Sequence, residues 1–99
     1  MSAATVPLDI RHDPDARRFS VTVEGQVCEL DYEFAAGIMT IVHTGVPQAV
    51  GGRGIAAALV RAAFEHARRA GWRVIPACSY AAVYVKRHPE YGHLIAASG

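Results

Sequence analysis

Apolar and polar residues alternate along the first part of the chain and then give way to a longer period. Residues 5–12 set Val6, Leu8, Ile10 and His12 on one side of an extended segment, the period-two mark of a half-buried strand. Asp13-Pro14-Asp15 reads as a turn. Phe19, Val21 and Val23 renew the alternation and Gly25 marks the next reversal. Cys28, Leu30, Tyr32 and Phe34 then interleave with Glu29, Asp31 and Glu33 in the clearest strand of the sequence. After Ala35-Ala36-Gly37 the segment IMTIVHT is apolar on both sides, which predicts a more central strand covered on both faces. Four consecutive short strands of this kind predict an antiparallel meander.

From about Arg53 to Ala70 the period becomes helical. Arg61, Glu65, Arg68 and Arg69 occupy one narrow stripe, and Ala, Leu, Ile, Val and Phe fill most of the rest, so the helix should be largely buried. Gly71 is a natural left-handed terminator. Arg73 to Cys78 should form a fifth strand, parallel to the fourth because a helical crossover precedes it. Pro76 cannot donate to a ladder. It marks either an ordinary edge strand or a place where the two parallel strands part, leaving a gap that an extended, amide-containing ligand could fill. Ser79 can cap a last helix carrying Tyr80, Tyr84 and Lys86, which His88-Pro89 ends. The fold class expected is α/β, and residues 1–99 read as one domain without repeats or linkers.

The stretch VPQAVGGRGIAAAL, residues 46–59, joins the meander to the long helix. Its glycines permit left-handed or tightly bent backbone, and the orphan amides and positive dipole end of the following helix make an anion site, usually for phosphate. The same cluster also reads as a simple tight turn. A Walker loop is excluded, because Ile55-Ala56 follows Gly54 where Lys and Ser or Thr would be needed. Residues 52–57 satisfy the dinucleotide pattern G-x-G-x-x-A, but the turn does not follow a first strand and no acidic residue stands about 20 positions on, where Pro76-Ala77-Cys78 lies.

Composition narrows the classes. The two cysteines, Cys28 and Cys78, have neither C-x-x-C nor zinc-type spacing, so reduced thiols in a cytoplasm are expected and no metal site is. The N-terminus lacks the basic and apolar regions of a leader, and no apolar run reaches membrane-spanning length, so a soluble, intracellular protein without a membrane partner is expected. Net charge is +1, yet residues 1–50 hold three arginines against seven acids and residues 51–99 seven basic side chains against two acids. The glycine loop lies in the basic half. That suits an anionic small ligand, or simply two differently solvated faces. Nucleic acid is disfavoured, since no dense basic run with interleaved aromatics occurs.

The order of strands, V-P, glycine turn, alanine-rich helix, strand and tyrosine helix resembles the GNAT-type N-acetyltransferases, whose motif reads R/Q-x-x-G-x-G/A. Gly54 and Ala56 match it, while Gly51 stands where the family carries Arg or Gln, so one contact to the pyrophosphate falls to the backbone or to Arg53. VHTGVP (42–47), GGRGIA (51–56), AAFEHAR (62–68), IPACSY (75–80) and HPEY (88–91) resemble the small single-domain members over residues 6–95. The resemblance implies acetyl-CoA as acyl donor, with Val46, Gly51, Gly52, Arg53, Gly54, Ile55 and Ala56 binding it and its pantetheine arm between the fourth and fifth strands. It also implies transfer to an amine, whose identity carries no signature.

Acyl transfer needs a neutral amine, a polarised carbonyl and an acid for the departing thiolate. His43 can take a proton from the amine, or be a hydrogen-bonded strand histidine. Tyr84 lies where the family often keeps a tyrosine for the leaving group, though it is also four residues from Tyr80 on one helix face. Cys78, at a strand end beside a helix start, sits where thiols become nucleophiles, and small family members carry the same C-S-Y with His43 as the implied partner. The alternative for Cys78 is an inert, buried side chain, as Cys28 is expected to be. The rival functions are a non-catalytic CoA-binding or regulatory module, and a dinucleotide-binding fold, against which the antiparallel meander argues.

Overall fold

Two hairpin turns fix the register of the sheet. A computed structural model describes residues 8–96. In it β1 (Arg11–Asp13), β2 (Arg18–Val23), β3 (Gln26–Ala35) and β4 (Ile38–Gly45) pair antiparallel in sequence order, and β5 (Arg73–Pro76) joins β4 in parallel. The turns at Glu24-Gly25 and Ala36-Gly37 hold φ of +50° and +76°, and of +54° and +78°. Two-residue connections with both central φ positive match the twist of the flanking strands. The reversal between β1 and β2 is held by the Asp13 carboxylate, which accepts from the amides of Asp15 and Ala16, each at 3.1 Å.

The alternation seen in the sequence sorts the two faces. Phe19 and Val21, then Cys28, Leu30 and Tyr32, then Met39 and Ile41, and finally Val74 point to the core. Against them packs α1 (Ile55–Ala70), which buries Ile55, Leu59, Val60, Ala63, Phe64 and Ala67. Gly71 takes φ +76° and the Trp72 amide turns back to the Ala67 carbonyl at 2.8 Å, ending the helix as expected. Among the described residues, no helix is long and apolar enough to cross a membrane.

Four expectations are corrected. The first strand does not run over residues 5–12 as expected: residues 5–7 lie outside the described residues, and among those described the ladder holds at Arg11–Asp13, so that residues 8–10 are not part of it. Leu8 and Ile10 turn instead toward the alanine-rich surface of α1, where they line a groove with Ala57, Ala58 and Ala62. Nor is β4 covered on both faces by the described residues. Both helices stand on the Met39 and Ile41 side, so Val42 of β4 and Ile75 of β5 are 42% and 40% exposed. β5 stops at Pro76 rather than Cys78. The last helix, α2 (Ser79–Arg87), is capped by Cys78 and not by Ser79: Cys78 keeps extended dihedrals while its carbonyl accepts from Ala82 at 3.0 Å.

The segment after α2 carries no periodic signal in the sequence. Residues Pro89–Leu94 form a 3₁₀ turn that buries Tyr91 and Leu94, and the Tyr91 ring stacks on Phe64, with centroids 5.2 Å apart. The Tyr91 hydroxyl donates to Glu65 at 2.6 Å, and burial together with that carboxylate pushes it up to about 12. Ile95 then bridges to Val74 in parallel, so the outer edge of β5 carries its own short partner.

Candidate functional site

The site begins with one extra residue in β4. Asp31 pairs with His43 and Tyr32 with Ile41, which leaves Val42 as a bulge. The parallel ladder between β4 and β5 ends at Ile41 and Pro76. The Cys78 amide makes one more bond, to the Ile41 carbonyl at 2.9 Å, before the chain turns into α2. Beyond that point His43, Thr44 and Gly45 keep their pairing with β3 and have no strand on the β5 side among the described residues. The separation expected at Pro76 is therefore present, and the bulge and the proline act at the same level of the sheet.

At the mouth of this gap the chain forms a 3₁₀ turn, Gln48–Val50, and then the glycine loop. Gly52 and Gly54 hold φ of +77° and +76°, and Gly54 is the N-cap of α1, its carbonyl accepting from Ala58 at 3.0 Å. The amides of Ile55, Ala56 and Ala57 precede that first helical bond, and none has a backbone acceptor among the described residues. Ile55 and Ala56 line a cavity of about 280 Å³ together with Val46, Gly51, Gly52, Gly54 and Tyr80, while Ala57 lines the neighbouring outer groove. Six of the seven residues expected to hold the acyl donor thus share one space. Free amides at a helix start beside such a space are suited to a phosphate.

The seventh, Arg53, is turned elsewhere. Its guanidinium bonds Glu24 in the β2–β3 turn at 2.6 and 3.3 Å, and it lines a different cavity, of about 620 Å³, over the outer surface of α1. The pair holds Glu24 below the usual carboxylate range. Tyr80 replaces Arg53 in the loop cavity. Its signal in the sequence is its place two residues after Cys78, in the first turn of α2.

Cys78 and Cys28 lie in opposite environments. Cys28 is fully buried, and burial pushes its thiol up. Burial acts in the same direction on the half-buried Cys78, but the amides of Ala81, Tyr80 and Thr44 and the Thr44 hydroxyl outweigh it and hold this thiol below the ordinary range. The sulfur makes no regular capping bond, so the α2 amides act on it as oriented dipoles. Its side-chain partner is Thr44, with Sγ 3.6 Å from Oγ1.

His43 is not brought onto this thiol. It is exposed on the other face of the sheet, where its ring lies with Glu29 and Asp31, the three offering ligand-type atoms within 4.8 Å of one another. Arg18 already engages that cluster, 2.6 Å from Asp31 and 3.9 Å from Glu29. Tyr84 is 7% exposed and packed between α1 and α2, its ring stacked on His88 at 4.0 Å and its hydroxyl raised in pKa by burial. It lines the outer groove rather than the glycine-loop cavity.

A mixed sheet split at a β4 bulge, with a glycine turn delivering bare helix amides beside the split, defines a GNAT-type fold. A family model for the GCN5-related N-acetyl-transferases matches residues 18–94, and the chain belongs to that family. Among curated proteins it is similar to Protein NATD1 of Mus musculus, 36% identical over 86 residues, covering 84% of this chain and 78% of that protein. The Homo sapiens protein of the same name is 35% identical over 86 residues, covering 84% of this chain and 76% of the relative. Among solved structures it is similar to a Staphylococcus aureus protein described as GCN5-like and determined by NMR in solution. The TM-score is 0.72 at 26% identity, over 93% of this chain and 91% of that one.

Proposed function

We propose that residues 1–99 form one acetyl-CoA-binding domain that transfers the acetyl group to an amine, with Cys78 as an intermediate carrier. The observation that carries this reading is the shared cavity of Val46, Gly51, Gly52, Gly54, Ile55 and Ala56 beside the free amides of Ile55 to Ala57. Those amides receive the pyrophosphate, and the side chain missing at Gly51 leaves the task to the backbone. The pantetheine arm takes the place of a strand partner along His43, Thr44 and Gly45. Acetyl-CoA supplies an activated thioester carbonyl.

Cys78 attacks that carbonyl carbon as its thiolate, once the S–H proton has passed to solvent: a new carbon–sulfur bond forms as the bond to CoA breaks, and CoA departs as its thiolate. The neutral acceptor amine then attacks the acetyl-cysteine, the cysteine sulfur leaves, and the amine proton passes to solvent or to His43. His43 stands on the opposite face of the sheet from the sulfur, so the amine proton reaches it only by way of solvent. Tyr84, packed against His88 and Phe64, shapes the helix pair, and in this reading Tyr80, which lines the loop cavity, is the tyrosine that meets the donor.

Calorimetric titration with acetyl-CoA, CoA and NAD tests the first half. Binding of both CoA species without NAD is expected, and failure of both overturns it. Incubation with acetyl-CoA should add one hydroxylamine-labile acetyl mass at Cys78. The uncovered outer face of the sheet favours a second reading, a CoA-binding module without turnover. In that case the affinity is present but no acetyl mass and no product appear.

A further inference from the structure

The partner of Cys78 is a residue that the candidate chemistry did not include. Thr44 pairs with Leu30 in β3, which puts its side chain on the core-facing side of β4, and it lies three residues past the last β4–β5 ladder pair. From there its hydroxyl reaches across the gap to the Cys78 sulfur at 3.6 Å. The Cys78 amide is tied to Ile41 of the same strand at 2.9 Å, so both ends of the contact are anchored to β4. Threonine is β-branched, and a stiff χ1 keeps the hydroxyl aimed at the gap.

We infer that Thr44 is the positioning residue of Cys78: its hydroxyl fixes the sulfur at the split between β4 and β5, accepts from the S–H, and turns to donate once that proton has left. The nucleophilic use of the sulfur rests on the function proposed above, whereas the positioning itself does not. The influences that weigh most on the sulfur besides burial are neutral donors, namely the amides of Ala81, Tyr80 and Thr44 and this hydroxyl. No charged side chain ranks with them. The hydroxyl is therefore one of few groups whose removal could change the thiolate population. Its own proton stays on oxygen throughout; it rotates from acceptor to donor, and no bond to carbon forms or breaks at Thr44.

The test is the pH dependence of Cys78 alkylation by iodoacetamide, followed by peptide mass mapping, in the wild-type chain and in Thr44→Val, Thr44→Ala and Thr44→Ser. Losing a hydrogen bond to a charged group should move the Val and Ala midpoints up by about one pH unit, roughly a tenfold loss of thiolate at neutral pH. Thr44→Ser restores the hydroxyl and should return the midpoint toward wild type, which a role in packing alone would not produce. Val and Ala midpoints coinciding with wild type, or a Ser midpoint displaced as far as theirs, would overturn the inference. The acetyl mass at Cys78 is read separately. Its absence from the wild-type chain removes the carrier step and leaves the alkylation result to decide the role of Thr44.

Discussion

Placing a branched side chain at Gly54 separates the two things the glycine loop could be, a turn or an anion site. Gly54 sits at φ +76°, ψ 15°, and a Cβ built there meets no atom within 4 Å, so the first cost of Gly54→Val is backbone strain. Forcing an L-residue into the left-handed region costs about 1–2 kcal/mol, and that should be the loss of unfolding free energy in urea. Gly71, at the other end of the same helix, has φ +76°, ψ 25° and equally empty surroundings. Gly71→Val should therefore lose a similar amount of stability. The two should differ in binding, because Gly54 borders the loop cavity and precedes the free amides of Ile55 to Ala57, whereas Gly71 is remote from both. Disturbing one amide bond to a phosphate is worth about 1.5–3 kcal/mol, roughly ten- to hundredfold in Kd. Calorimetry with acetyl-CoA should show that loss in Gly54→Val and none in Gly71→Val. Undiminished affinity in a folded Gly54→Val protein, or equal losses in both variants, would refute the reasoning.

Timed alkylation of the native chain should label Cys78 ahead of Cys28 by about tenfold or more, since one thiol is held low and reachable and the other is raised by burial and enclosed; equal rates would contradict this. Amide hydrogen exchange without ligand should be slow where β4 meets β5, at Ile38–Ile41, and CoA should slow residues 42–46, with an unchanged pattern counting against a ligand in the gap. His12 and His66 set a pH dependence: their rings lie 4.4 Å apart, Tyr32 bonds His12 Nε2 at 2.6 Å, and burial followed by a neighbouring charge lowers both below the ordinary histidine value of 6.5. A depressed histidine binds its proton more readily unfolded, so the stability is present above 6.5 and is lost as pH falls below it. Urea denaturation at about pH 7.5 and 5.5 should show the fall, and replacing both histidines by Gln should flatten it; a wild-type profile as flat as the variant's would rule the two histidines out as its source.

The sequence by itself determines the meander and the long helix, because each is written in a local period. Phe19 and Val21, Cys28 to Tyr32, and Met39 and Ile41 alternate and face the core, and Gly25, Gly37 and Gly71 stand where the backbone needs positive φ. The glycine loop is legible for the same reason, since dihedral freedom and a helix start are properties of neighbouring residues. What the period cannot carry is which neighbour lies across a gap. The β4 bulge depends on matching two strands, so alternation alone does not show that Val42 is extra, nor which of His43 and Thr44 then faces the core. That single slip gives Cys78 a threonine partner rather than a histidine one. Arg53 is in the loop by sequence, but a carboxylate in a turn 29 positions earlier draws its side chain away. The short β1 and the buried Tyr91 and Leu94 are likewise tertiary outcomes: whether an edge segment pairs or packs, and whether a tail folds back, depends on what surface the rest of the chain leaves uncovered.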